Sequence, residues 1–174
     1  MKVITESEMN FGRYREEELF EIEKSQFFRS LGQGIKPVEF ILLQKEKNII
    51  FLEAKKSCPN EKNMNETDQK AEKFEEYYGS ITQKFTDSLQ VYLSAALNCH
   101  GDQKEIGDKL KAIQDYQGYE ILFVLVIKEA ELLWLSGVKA SLEKRLLSLR
   151  KIWKAKVLVL NHELARKKGL ISDT

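Results

Sequence analysis

Glu53 and Lys55 stand two positions apart in Ile49-Ile50-Phe51-Leu52-Glu53-Ala54-Lys55, a run that is otherwise apolar. On a β-strand that spacing projects both side chains from one face. A second β-rich run, Val38 to Gln44, carries Glu39 as its conspicuous charge, and the polar Lys45-Glu46-Lys47-Asn48 between the two runs has the pattern of a hairpin turn. Charges inside an apolar sheet cost several kcal/mol each to desolvate, so they are paired or bound to metal. Carboxylate oxygens from Glu39 and Glu53, with the main-chain carbonyl of Ala54, suit a hard cation, Mg²⁺ or Mn²⁺. Lys55 beside them could orient or help deprotonate a water and stabilise charge developing on a phosphate. In-line attack of water on a phosphodiester is the reaction such a set supports. The bland alternative is a Glu53–Lys55 ion pair at the sheet rim with Glu39 solvated.

Whether Glu39 joins the other two is a matter of parity, because a one-residue slip in register reverses every side chain. A three-residue loop at Glu46-Lys47-Asn48, with Asn48 left-handed, pairs Lys45 with Ile49 and so Glu39 with Lys55, leaving Glu53 diagonally across. A loop of two or four residues sends Glu39 to the opposite face unless a bulge restores the phase.

The surrounding elements read as follows. Residues 1 to 14 show no clear period and suit an arm or an edge segment. Leu19 to Lys24 alternates like a half-exposed strand, with a helix over Arg15 to Leu31 as the competing reading. Ser25 caps a short helix carrying Phe27, Phe28 and Leu31, and the chain breaks at Pro37. Beyond a loop at Cys58-Pro59-Asn60-Glu61, a charged helix over Glu66 to Tyr78 is followed by a core helix, Ile81 to Leu97, with Gly79-Ser80 as its cap. Asn98 to Asp108 reads as a loop, Lys109 to Gln114 as a short helix and Tyr119 to Lys128 as a fully buried strand. A helix over Val138 to Trp153 turns Leu142, Leu146, Leu149 and Trp153 inward, and a strand (Val157 to Leu160) and a helix (Glu163 to Lys168, stopped by Gly169) complete the chain. This order predicts an α/β fold, a mixed central sheet flanked by helices on both faces, in a single domain over residues 1–174.

Composition removes several other functions. With 43% apolar and 32% charged residues, the chain has a core's worth of apolar material and too much charge for a bilayer, and it has neither a membrane-spanning run nor a signal-peptide pattern at its start. A cytoplasmic protein with no membrane partner is the expectation. Cys58, Cys99, His100 and His162 fall in no metal-ligand or redox spacing, and no phosphate-binding glycine loop occurs. The net charge of +1 hides an asymmetry: residues 138–174 hold ten Lys or Arg against three acids, a local +7, and the first 137 residues hold −6. That basic segment could flank a phosphate-binding surface, although the solvated side of an amphipathic helix explains it more simply.

Pro37-Val38-Glu39, an apolar strand, a short turn and Ile49 to Lys55 together resemble the motif of the PD-(D/E)xK nuclease superfamily, the restriction-endonuclease-like fold. The resemblance covers the hairpin best, and it maps the first acid onto Glu39, where that family usually has Asp, the second onto Glu53 and the lysine onto Lys55. It implies a Mg²⁺- or Mn²⁺-dependent nuclease acting on nucleic acid, with DNA expected, as a homodimer or with a partner protein. The alternative is a catalytically silent copy of the fold that binds nucleic acid or protein. Many members add an acid from near the N-terminus, for which Glu23 is preferred here over Glu21 or Glu18, and a helix residue facing the site, for which Gln83, Lys84 and Gln90 are candidates.

Overall fold

The computed structural model describes residues 1–59 and 68–172, so part of the loop anticipated after Cys58 and the start of the helix anticipated at Glu66 lie outside the described residues. The hairpin forms as β4 (Phe40–Gln44) and β5 (Asn48–Lys55). With β3 (Leu19–Phe20), β6 (Glu120–Ile127) and β7 (Lys156–Asn161) they build a five-stranded mixed sheet in the order β3-β4-β5-β6-β7. The first three strands are antiparallel, while β6 runs parallel to β5 and β7 parallel to β6. Each parallel pair requires a long crossover. The chain supplies them as α2 (Asp68–Ala96) with α3 (Asp108–Lys111), then as α4 (Leu135–Arg145) with α5 (Leu147–Trp153).

β5 and β6 are apolar at almost every position because both faces of the sheet are covered. On one face Phe51 and Phe123 meet α2, with ring centroids 5.1 Å apart for Phe85–Phe123 and 5.9 Å for Phe51–Tyr92. On the other, Leu52, Val124 and Val126 pack under Ile4, Met9 and Phe11 and under Ala165. That second layer corrects the expectation of helices on both faces. Among the described residues only α6 (His162–Lys167) lies there as a helix, beside a second sheet of β1 (Lys2–Glu6) and β2 (Met9–Tyr14).

Residues 1–14 are therefore a hairpin rather than an arm. Its turn, Ser7-Glu8, places both residues in the left-handed region (φ 49° and 60°), the geometry of a type I′ turn, without the Asn-Gly signature that announces one in a sequence. The alternation at 19–24 yields only two residues of strand. Ile22–Lys24 then tightens into a 3₁₀ turn, and α1 (Gln26–Ser30) starts where Ser25 accepts the Phe28 N–H at 3.1 Å, which removes both the six-residue strand and the helix over 15–31.

Gly79-Ser80 does not divide α2. Phe74, Tyr78 and Ile81 lie on one buried stripe, and burying them outweighs the roughly 1 kcal/mol that a mid-helix glycine costs. The opposite error occurs at 138–153. Leu146 leaves the helical region (φ −91°, ψ 14°) between α4 and α5, and Trp153, expected inward, is 39% exposed. Among the described residues no helix is long and apolar enough to cross a membrane.

Candidate active site

The register of the β4–β5 hairpin decides what Glu39 can reach. Its loop has three residues, as expected, but they are Lys45–Lys47, and Lys47 rather than Asn48 takes the left-handed conformation (φ 64°). Gln44 pairs with Asn48 and Phe40 with Leu52. The loop slid by one residue on both strands at once, which changes the partner and preserves the parity. Glu39 lies just before β4, where its N–H donates to the Leu52 carbonyl at 3.1 Å, and its carboxylate reaches the face of Glu53, since one Lys84 ammonium contacts both. The Lys47 ammonium lies 5.3 Å from the Tyr119 ring centroid, a contact between the turn and the segment leading into β6.

The Glu53 side chain is fully buried beneath α2. The Lys84 ammonium reaches it from that helix, 2.9 Å from Oε1 and 3.0 Å from Oε2, and lies 3.9 Å from Oε1 of Glu39. Lys55 approaches from the solvent side, 2.8 Å from Glu53 Oε1. Although two ammonium groups stand close to Oε1, neither is aligned to donate a hydrogen bond to it. Glu23, on the 3₁₀ turn after β3, is hydrogen-bonded to Glu39. Glu6, at the end of β1, completes an acid set: Glu6, Glu23 and Glu39 each offer a carboxylate oxygen within 4.8 Å of the others.

These contacts set the charges. Burial, the Glu23 hydrogen bond and the Glu53 and Glu23 charges, opposed by Lys84, push the Glu39 carboxyl up to about 9. That carboxyl therefore stays protonated at neutral pH. Burial pulls Lys84 down, but Glu53, Glu39 and Glu23 outweigh it and raise its pKa. Lys24 adds a third cation, 2.6 Å from Glu6.

The structure thus brings together Glu23, Glu39, Glu53 and Lys55, and selects Lys84 from the three helix candidates. Gln83 instead donates to the Gly34 carbonyl at 3.2 Å, and Gln90 faces solvent. Of the other N-terminal acids, Glu18 pairs with Lys109 and Glu21 with Lys2 and Lys24. The Ala54 carbonyl accepts the Ser7 hydroxyl at 3.1 Å, leaving one lone pair for a cation. Glu6 was missed because no periodicity revealed the hairpin that carries it. The basic segment is spread over α4, α5, β7 and α6, and Arg145, Arg150 and Lys156 pair with Glu75, Glu143 and Glu120, which favours the solvated-helix account of it.

The donor set suits a hard divalent cation. All the acids are carboxylates, one buried oxygen lacks a directed partner, and Glu6, Glu23 and Glu39 bring carboxylate oxygens within 4.8 Å of one another. No protein-family model, curated protein or solved structure matches the chain.

Proposed function

We propose that this protein is a metal-dependent nuclease with a restriction-endonuclease-like arrangement, hydrolysing phosphodiester bonds in nucleic acid, with DNA the expected substrate. The observation that carries the reading is the convergence of Glu39, Glu53 and Lys55 on one sheet face, with Lys84 contributed by the helix that crosses it. Further support comes from element order: an antiparallel hairpin with one acid just before its first strand and the other on its second, a crossover helix, then a strand parallel to the second hairpin strand.

Glu39 and Glu53, with the Ala54 carbonyl, would hold Mg²⁺ or Mn²⁺, and Glu23 and Glu6 extend the carboxylate set. A bound cation would supply Lewis acidity toward a phosphate oxygen and make water easier to deprotonate. Lys55, the most accessible of the central charges, orients the attacking water and stabilises negative charge on the phosphate. Lys84 holds the Glu53 carboxylate in place through both of its oxygens.

A second reading, a silent copy of the fold that binds nucleic acid or a protein partner, is favoured by one observation. The Lys84 ammonium already contacts both Glu39 and Glu53, the two carboxylates that would hold a cation. Incubation with plasmid, single-stranded DNA and RNA in Mg²⁺, Mn²⁺ or EDTA, beside Glu53→Gln and Lys55→Ala, separates the two. The nuclease reading expects cleavage that needs the cation and is lost in both variants. Cleavage that survives both substitutions, or a folded protein that binds but does not cut with either cation, refutes it.

A further inference from the structure

The turn between β1 and β2 reaches the same end of the sheet with three consecutive side chains. Glu6 joins the acid set, Ser7 donates to the Ala54 carbonyl, and the Glu8 carboxylate lies between two ammonium groups, 2.7 Å from Lys56 and 2.8 Å from Lys128. Backbone pairing beyond the ends of β5 and β6 holds these lysines in place. The Lys128 N–H donates to the Lys55 carbonyl at 2.9 Å and the Glu129 N–H to the Lys56 carbonyl at 3.0 Å. Lys56 and Lys128 therefore stand at the carboxyl ends of two neighbouring parallel strands, next to Lys55, the region where open α/β sheets bind ligands.

Glu8 offers this pair of lysines two oxygens sharing one negative charge, and a phosphodiester offers the same. Glu8 and Lys56 are both more than half exposed, so another anion has access to the pair and the existing contacts are screened by water. The turn itself resists release weakly. Ser7 and Glu8 both adopt left-handed conformations that side chains other than glycine disfavour, so its contacts, and not its own propensity, keep it down.

We propose that Lys56 and Lys128 form a phosphate subsite for the nucleic-acid backbone, and that Glu8 occupies it as a built-in competitor which an entering strand must displace. The identity of the ligand rests on the nucleic-acid reading above, while the subsite requires neither metal nor catalysis.

The test is fluorescence anisotropy with labelled single-stranded and duplex oligonucleotides in EDTA, using the whole chain as wild type, Glu8→Gln, and Glu8→Gln combined with Lys56→Ala and Lys128→Ala. Removing the competitor should tighten binding about three- to tenfold, while the log–log salt slope, set by the phosphates met in the complex, should change only when both lysines go, flattening by about one to two for duplex. The triple variant should lose that gain. Unchanged affinity in Glu8→Gln, a gain that survives loss of both lysines, or no binding by any of the proteins overturns the proposal. Because EDTA excludes cleavage, the two readings fail separately. Tighter binding without hydrolysis in Mg²⁺ sinks only the nuclease, and hydrolysis with no effect of Glu8→Gln sinks only the competitor.

Discussion

Lys84→Met removes one charge from α2 and keeps most of the side-chain volume. It leaves the fully buried Glu53 with Lys55 as its remaining cation. Two unit charges 2.9 Å apart attract by about 6 kcal/mol at an effective dielectric near 20. Desolvation of the 14% exposed lysine offsets part of this, and breaking a buried pair from one side costs about 3–5 kcal/mol. Because Lys55 stays at 2.8 Å, we expect the lower end, about 3 kcal/mol. For a chain of this size that lowers Tm by about 6–12 °C.

Urea denaturation at neutral pH should show the loss in the midpoint with an unchanged slope. The double variant Glu53→Gln/Lys84→Met should recover much of it, with a coupling energy of about 2 kcal/mol in the cycle. A cost below about 1 kcal/mol, or a coupling within about 0.5 kcal/mol of zero, would mean that the pair behaves like a surface salt bridge and would refute the argument. The same variant removes the ammonium that contacts both Glu39 and Glu53. Mg²⁺ should therefore raise its Tm more than it raises that of the wild type.

Two further outcomes follow from named contacts. Glu39 keeps its proton to about pH 9 in the folded chain but loses it near 4.5 when unfolded, so its contribution to stability is full below pH 4.5 and is lost as pH rises through 9. The metal-free protein should weaken across that window by at most about 1.4 kcal/mol per pH unit, and Glu39→Gln should flatten the profile; a wild type equally flat by urea titration contradicts a buried Glu39 that keeps its proton. At Gly107 a Cβ would come within 2.6 Å of the backbone oxygens of Glu16 and Glu17, so Gly107→Ala should cost about 1–3 kcal/mol, and a melt unchanged from wild type would show that the loop yields freely.

What local chemistry could announce was legible from the residues alone. The apolar runs at 40–44, 49–55 and 120–127, the serine cap of α1 and the three-residue hairpin loop all follow from short-range pattern, and so does the parity that sends Glu39, Glu53 and Lys55 to one face. Parity survived an error in the loop position because sliding both strands together leaves the faces unchanged. Patterns spanning one or two turns misled where burial overruled propensity. Gly79-Ser80 carries a break signal, yet Phe74, Tyr78 and Ile81 gain more from one continuous stripe than the glycine costs.

Tertiary structure alone decided which charges from distant elements join Glu39, Glu53 and Lys55. Lys84 is one of several polar residues on a long helix, and the angle at which α2 crosses the sheet aims it, and not Gln83 or Gln90, at Glu53. Glu6 and Glu8 reach the end of β5 only because Ile4, Met9 and Phe11 pin the β1–β2 hairpin to the second face of the sheet. That packing joins residues 48 and 120 positions apart in sequence, through contacts that no local period encodes.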